Sequence, residues 1–402
     1  MPATQRDRRR LAAAASLTIT LSLAGCTGQR AAAPAPTTMT TAASSHRSAP
    51  IPTTRPTATT RPTATAAHKP THKPTHKPTH KPTHKPTHKA TAMPRPTPKR
   101  KPKPKLAPTG DPLTGAAKRS TGPVIGVKID DTAAGRPQVG LDRADVVYVE
   151  QVEGGLTRLL AIFGSRRPAE VGPVRSVRAT DPKLLKQYGR VALAFSGGAA
   201  REVSLFHDSG LVDSSADSQG EVYHRAGDRP APYNLMVNLS QLAGHVRKAA
   251  RDRDIGLRWA SHPSELAGAR PATRLTTRVG ATTVSFRYDA TTHRYIRTVD
   301  GADVRTADGS LLSTPNVVLQ FCTVTVDRRD IDVAGNPSAD TATIGHGAAI
   351  VLRDGRALLG HWDRAHAGTG TLLLSPHDQR FTLHPGGAWI LLVANGTATS
   401  LN

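Results

Sequence analysis

Four arginines and one glutamate stand where they could recognise an anion. Arg136 lies in "GRPQ", Glu153 and Arg158 flank a glycine pair in "VEGGLTR", and Arg175 and Arg178 close "GPVRSVR". A guanidinium is planar and permanently charged, and it can hold a carboxylate or phosphate through two parallel N–H donors. Arg175 and Arg178 also precede a predicted helix, and helix N-termini favour anions. A second glycine pair, in "SGGAA", joins a predicted strand to a helix and offers further backbone donors. The Gly-x4-Gly-Lys spacing of a phosphate loop is absent. Read as a two-residue hairpin, Gly154-Gly155 pairs Glu153 with Leu156 and Gln151 with Arg158. Glu153 and Arg158 then become diagonal neighbours on one face. The competing reading of these residues is structural: a cross-strand ion pair, and arginines that brace loops.

Asp130, Asp131 and Glu153 are the candidates for acid–base work or for holding a divalent ion through oxygen ligands. "IDD" at a strand end is equally a turn, and nothing in the spacing forces the chemistry. Ser196 lacks the Gly-x-Ser-x-Gly elbow of a serine hydrolase. His207, His224, His346, His361 and His366 show no metal-ligand spacing, so neither a metal nor a cofactor is expected. Cys322 stands alone in "NVVLQFCTVTV", where a thiol is expected to be a small buried hydrophobe.

Two stretches must position these residues. From 107 to 253, strand patterns ("VIGVKID", "VVYVEQVE", "LTRLLAIF", "VALAFS") alternate with helical ones. "DPKLLKQYG" is expected to be a helix capped by Asp181, with Pro182 in its first turn. "AAREVSLFHDSG" and a segment starting near Asn238 are the other helices. From 276 to 402, short apolar runs are separated by Gly, Asp, Asn and Pro turns, and "RDGR" has the form of an Asp-Gly hairpin. Residues 254 to 275 form a polar connector. The expected fold class is α+β, with a mixed α/β N-terminal domain followed by a mainly β C-terminal domain.

The beginning of the chain sets the compartment. Residues 1 to 26 hold a basic start and an apolar run from Leu11 to Leu23, ending in "LAGC". About 13 apolar or small residues are too few to span a bilayer core of roughly 30 Å, and the layout is that of an export signal. "LAGC" resembles the bacterial lipobox, which implies lipidation of Cys26 and cleavage just before it. The chain is then expected on the outer face of the cytoplasmic membrane.

Residues 27 to 106 contain 16 Lys and Arg and no Asp or Glu, and "HKPT" repeats from His68 to Lys89. Such a segment has too little apolar surface to offset chain entropy, so it is expected to be disordered. Proline at every fourth position excludes the helix that would align the histidines on one face. At roughly 3.1 Å per residue, an extended linker of this length reaches up to about 250 Å. Of the net charge of +24, the linker carries +16 and the signal +3, leaving +5 for the remainder. The excess is therefore an arm, and outside the cell its expected partners are anionic envelope polymers, wall glycans and lipid headgroups rather than nucleic acid.

"DPLTG", "IDDTAAGRPQVGLDRADVVYVEQVEGGLTRLLAIFGS" and "VGPVRSVR", with "NVVLQ", "VLRDG" and "PGGAWI" further on, carry a resemblance. From about Asp111 to Val393 the chain resembles the YerB-like bacterial lipoproteins. The resemblance implies an α/β part followed by a β part, and an extracytoplasmic location; it leaves the ligand open. The chain departs from the family pattern at Val149, at Phe195 and at Tyr233, the last two standing where relatives carry histidine. The resulting expectation is a lipid-anchored envelope protein that binds an anionic or carbohydrate wall component without turnover. Arg158, Arg175 and Arg178 would contact the anion, and Glu153 would orient Arg158. The alternatives are an envelope hydrolase using Asp130, Asp131 and Glu153, and a scaffold that docks another envelope protein through residues 276 to 402.

Overall fold

The apolar runs of the N-terminal half become an antiparallel trio: β1 (Ile125–Asp130), β2 (Val146–Gln151) and β3 (Thr157–Phe163). β3 pairs with both of the others. The computed structural model describes residues 110 to 402 apart from 333 and 334, all within one compact unit, Thr97–Asn402. The signal, the HKPT linker and Cys26 lie outside the described residues. β4 (Ala192–Ala194) and β5 (Val212–Asp213) extend the trio by parallel pairing. β6 (Tyr223–Arg225) and β7 (Leu235–Val237) form a separate hairpin.

The expected helices are present but short. α1 (Thr180–Leu185), α2 (Ala200–Asp208) and α3 (Leu239–His245) have six, nine and seven residues. The molecule is therefore more strongly β than the expected α+β balance. Asn238 caps α3 by accepting the Gln241 N–H at 3.0 Å. Asp181 is not the cap of α1. It lies inside the first turn, and its carboxylate reaches back to accept the Arg178 N–H at 2.7 Å.

The C-terminal half builds two layers. β8 (Arg270–Pro271) joins the main sheet. β9 (Arg274–Val279), β10 (Thr282–Asp289), β11 (Arg294–Val299), β12 (Ala302–Asp303) and β13 (Ser313–Thr314) belong to a second, six-stranded sheet. β14 (Asn316–Cys322) returns to the main sheet, and β15 (Val324–Ile331) pairs only with β16 (Pro337–Thr341), as a free-standing ribbon. β17 (Gly345–Arg353), β18 (Arg356–Arg364), β19 (Leu372–Leu374) and β20 (Ala388–Ala394) complete the main sheet, and β21 (Ser400–Leu401) edges the second. "RDGR" makes the expected tight turn, with Asp354 and Gly355 both left-handed at φ 51° and 71°.

One sheet of eleven strands runs through both halves. Its join is β20, which lies parallel to β14 on one side and to β2 on the other. "VVYVEQ" and "AWILLVA" suit this place because a strand buried on both faces reads as a nearly continuous apolar run. One face packs against the six-stranded sheet, where Phe286 meets Trp389 edge to face at 6.2 Å. The other face packs against α1 and α2 through Leu184, Leu185 and Phe206.

Two sets of buried charges interrupt this core. Asp131 receives both terminal nitrogens of Arg297, at 2.8 and 2.7 Å, plus the Thr157 hydroxyl at 2.7 Å. Arg297 in turn lies over the Trp389 ring, 4.9 Å from its centroid, so this contact ties β1 to β11. On the opposite face, Lys128 meets Asp181 at 2.8 Å and makes a short contact with Glu150, and all three side chains are fully buried.

Candidate functional site

The site starts from a loop whose length differs from the expected one. The Val152 N–H donates to the Leu156 carbonyl at 2.8 Å, enclosing three residues, Glu153 to Gly155. Pairing on either side is Gln151 with Thr157 and Glu150 with Arg158. A three-residue loop in place of a two-residue one shifts the register by one residue and exchanges the faces. Gly154 and Gly155 are both left-handed, and a side chain on Gly155 would press on Ala281 at 2.9 Å. Glu153 therefore does not orient Arg158. It accepts from Arg178 instead, Nε at 2.9 Å and Nη2 at 2.6 Å.

Arg158 stands on β3 directly between Asp130 on β1 and Glu150 on β2. Its Nη2 lies 3.7 Å from Asp130 Oδ2, and its Nη1 donates to the Thr157 carbonyl at 3.0 Å. Arg175 reaches the same Asp130 oxygen, with Nε at 3.1 Å. It is delivered by the "GPVRSVR" segment, whose Arg175 N–H donates to the Lys128 carbonyl at 2.9 Å. Tyr233 lies under this guanidinium, 5.5 Å away, at a position where the resemblance leads one to expect histidine. Two guanidinium groups thus share one carboxylate.

Arg178 is placed by Asp181, which holds its backbone N–H, and by the buried Lys128 beneath Asp181. Besides Glu153, its Nη1 lies 3.4 Å from Glu202 Oε2, on α2. Ser338, on the ribbon, closes the ring, with Oγ 2.8 Å from one oxygen of each glutamate. Burial pushes the Glu202 carboxyl above the usual range, opposed by Arg178. Burial alone would weaken the Arg178 cation, but Glu202 and Glu153 more than offset that and raise its pKa. Glu202 also accepts the Ala199 N–H at 3.2 Å, so the backbone donor expected to face an anion at "SGGAA" is occupied by protein.

These groups line one cleft of ≈ 320 Å³. It gathers Glu153, Arg158, Arg175 and Arg178 from the N-terminal half, and Ile331 and Ser338 from the ribbon. Four of the five residues expected from the sequence are together here. Arg136 is elsewhere: its Nε donates to the Thr132 carbonyl at 3.2 Å, and it borders a shallow groove beside Asp303 and Arg305. Nor do Asp130, Asp131 and Glu153 converge. Successive residues of a strand point to opposite faces, so Asp131 serves Arg297 while Asp130 serves Arg158 and Arg175. Among the described residues no group of three or more His, Cys, Asp or Glu is arranged to hold a metal ion. His207 and His361 face Asp213 and Asp378, each at 3.1 Å.

Lys128, Glu150, Glu202 and Ser338 escaped the sequence reading. Lys128 and Glu150 had a signal, as charged residues within otherwise apolar strands. Glu202 had a fainter one, three residues beyond the cap residue Ala199 of α2, where a side chain can reach back to a free N–H. Ser338 had none.

The cleft draws on both matched regions of the chain. Residues 108–255 match the family model described as the N-terminal domain of a protein of unknown function (DUF3048), and residues 275–390 match its C-terminal domain. The chain belongs to this family. It is 27% identical over 294 residues to YerB of Bacillus subtilis (strain 168), a protein provisionally named a lipoprotein, covering 69% of this chain and 83% of that one. The crystal structure of the Bacillus subtilis YerB protein matches the fold with a TM-score of 0.61 and 20% identity, covering 72% of this chain and 98% of the other. The ring around Arg178 therefore joins the two DUF3048 domains: Glu153 and Glu202 come from the first and Ser338 from the second. No helix among the described residues is long and apolar enough to cross a membrane.

Proposed function

We propose that this DUF3048 protein is a lipid-anchored envelope protein that binds an anionic group of a wall polymer or glycan in the cleft, without turning it over. The observation that carries this reading is the sharing of Asp130 by Arg158 and Arg175, which leaves the basic end of the cleft with more guanidinium than carboxylate. Arg178 has a different role from the one expected. Two glutamates already engage it, so it braces the cleft wall, and the ligand contacts fall to Arg158 and Arg175. Cys26 supplies the anchor, and the cationic segment 27–106 is a spacer through the anionic wall.

The test is calorimetric titration of the full-length protein, in detergent, with purified anionic wall polymers and glycan fragments. Losing a hydrogen bond to a charged group costs about 1.5–3 kcal/mol, so Arg175→Ala is expected to weaken binding by roughly ten- to a hundredfold. Unchanged binding in Arg175→Ala would remove the basis of this reading. Turnover of the bound ligand, abolished by Glu153→Ala, would replace it with a hydrolase.

A further inference from the structure

A second pair of arginines borders a cavity away from the cleft, and it draws on both domains. Arg166 follows β3 in "SRRP", and Arg294 opens β11. Together with Ser313, Asp142 and the backbone near Gly386 they line a cavity of ≈ 120 Å³, about a third the size of the cleft. Arg294 is fixed in place: its Nε donates to Ser313 Oγ at 2.8 Å and its Nη2 to the Ser313 carbonyl at 2.7 Å. Neither partner carries charge. The Arg166 guanidinium has no hydrogen bond or ion pair among the described residues. Asp142, the acidic side chain in the wall, is paired with Arg143 at 2.8 Å.

The electrostatics agree with this geometry. Burial and the neighbouring Arg166 both weaken the Arg294 cation, and no carboxylate counters them. Elsewhere in this molecule the buried guanidinium groups of Arg297 and Arg178 are met by carboxylates, whereas that of Arg364 is saturated by carbonyls and the Thr343 hydroxyl. Two guanidinium groups lining one cavity repel each other, and the repulsion is relieved by an anion that accepts from both. Arginine presents paired donors that match phosphate geometry.

We propose that this cavity binds one small oxyanion, an inorganic phosphate or a terminal phosphomonoester, held between Arg166 and Arg294. The anion would bridge the N-terminal domain, which supplies Arg166, and the C-terminal domain, which supplies Arg294 and Ser313. This site is independent of the cleft, since Arg158 and Arg175 take no part in it.

The experiment is thermal unfolding of the full-length protein with inorganic phosphate, glycerol phosphate or chloride at matched ionic strength. A ligand that binds only the folded state raises the midpoint by mass action. The expected result is a phosphate-specific rise that Arg166→Gln weakens at least tenfold in apparent affinity and that Arg175→Ala leaves intact. A larger rise with glycerol phosphate than with phosphate would assign the site to a monoester, and the reverse to the free anion. Phosphate also stabilises folded proteins by exclusion from their surfaces, so an equal rise in Arg166→Gln overturns the proposal. No rise at tens of millimolar phosphate overturns it as well. Arg166 is exposed, so its substitution keeps the test valid even if Arg294→Gln fails to fold.

Discussion

Replacing Glu202 by Gln should cost the protein little, while the same change at Glu153 should cost it a great deal. The reason is a count of protons. Ser338 Oγ lies 2.8 Å from an oxygen of each glutamate, and a hydroxyl has one hydrogen to donate. The second contact is a hydrogen bond only if that carboxyl is protonated and donates to the serine. Arg178 decides which one. It lies 2.6 and 2.9 Å from Glu153 but 3.4 Å from Glu202, and burial raises the pKa of Glu202. Arg178 therefore grips Glu153 the more closely, and Glu202 is the carboxyl that burial makes easier to protonate.

Glu202→Gln mimics the protonated form of Glu202. Its amide N–H donates to Ser338, and its amide oxygen accepts from Ala199. Because the 3.4 Å contact to Arg178 is the weaker of its two carboxylate contacts, this exchange should cost under about 1 kcal/mol. Glu153→Gln leaves the mostly buried Arg178 without its close counter-ion, at a cost of about 2–3 kcal/mol. Urea unfolding at neutral pH, followed by tryptophan fluorescence, measures both. The pH dependence gives a second reading. A carboxyl whose folded pKa lies above its unfolded value, about 4.3 for Glu, stabilises fully below that value and loses the contribution as pH climbs through the folded pKa. Glu202→Gln should flatten that decline. Equal costs for the two substitutions, or an unchanged decline in Glu202→Gln, would refute this ranking of the two glutamates.

Asp131→Asn should destabilise by about 3–5 kcal/mol, because it leaves Arg297 charged and buried without its partner; urea unfolding measures it. Burial works against ionisation of Asp131, but Arg297 and Thr157 prevail and hold its pKa below the usual carboxylate range. Its contribution is therefore present above about pH 3.9 and fades as pH falls through the lower, folded value. Acid unfolding of Asp131→Asn should lack that component. Cys322 is buried, and burial pushes its thiol up to about 12. Native protein at mildly alkaline pH should resist alkylation by iodoacetamide and react only once unfolded, as mass spectrometry of the intact chain would show.

Local chemistry was legible in the sequence where one stretch of chain determines it. The Asp354-Gly355 turn and the Asn238 cap follow from the conformations those residues favour, and both are present. The short helices were located more accurately than they were sized. The hairpin at Gly154-Gly155 has a three-residue loop in place of the expected two-residue one; both loop types accept glycine. Only the three-residue loop puts Glu150 opposite Arg158. Pairings between distant segments leave no local trace, and "AWILLV" gives no sign that its neighbours are β2 and β14. For the cleft, the arginines and Glu153 advertised themselves by type and spacing, whereas Glu202 and Ser338, which complete the ring, did not. These two come from α2 and the ribbon, 24 and 160 residues beyond Arg178.

The charged contacts share an arrangement that bears on how a ligand would act. Asp131 and Arg297, Ser338 and the two glutamates, Lys183 and Asp340, and the Arg166–Arg294 cavity each join groups from both DUF3048 domains. The two domains also share one sheet, so β20 joins them by backbone pairing and these contacts add polar ties between them. Each polar tie depends on donors and acceptors lying within a few tenths of an ångström of their hydrogen-bond distances. A ligand held by Arg158 and Arg175, as proposed, would act beside a ring whose geometry the ribbon completes from the other domain. By linkage, whatever stabilises the closed ring must also strengthen binding that depends on it, and ligand must stabilise the ring to the same degree. The second domain thus contributes to the cleft mainly through the few polar atoms that hold Arg178 and its carboxylates in register.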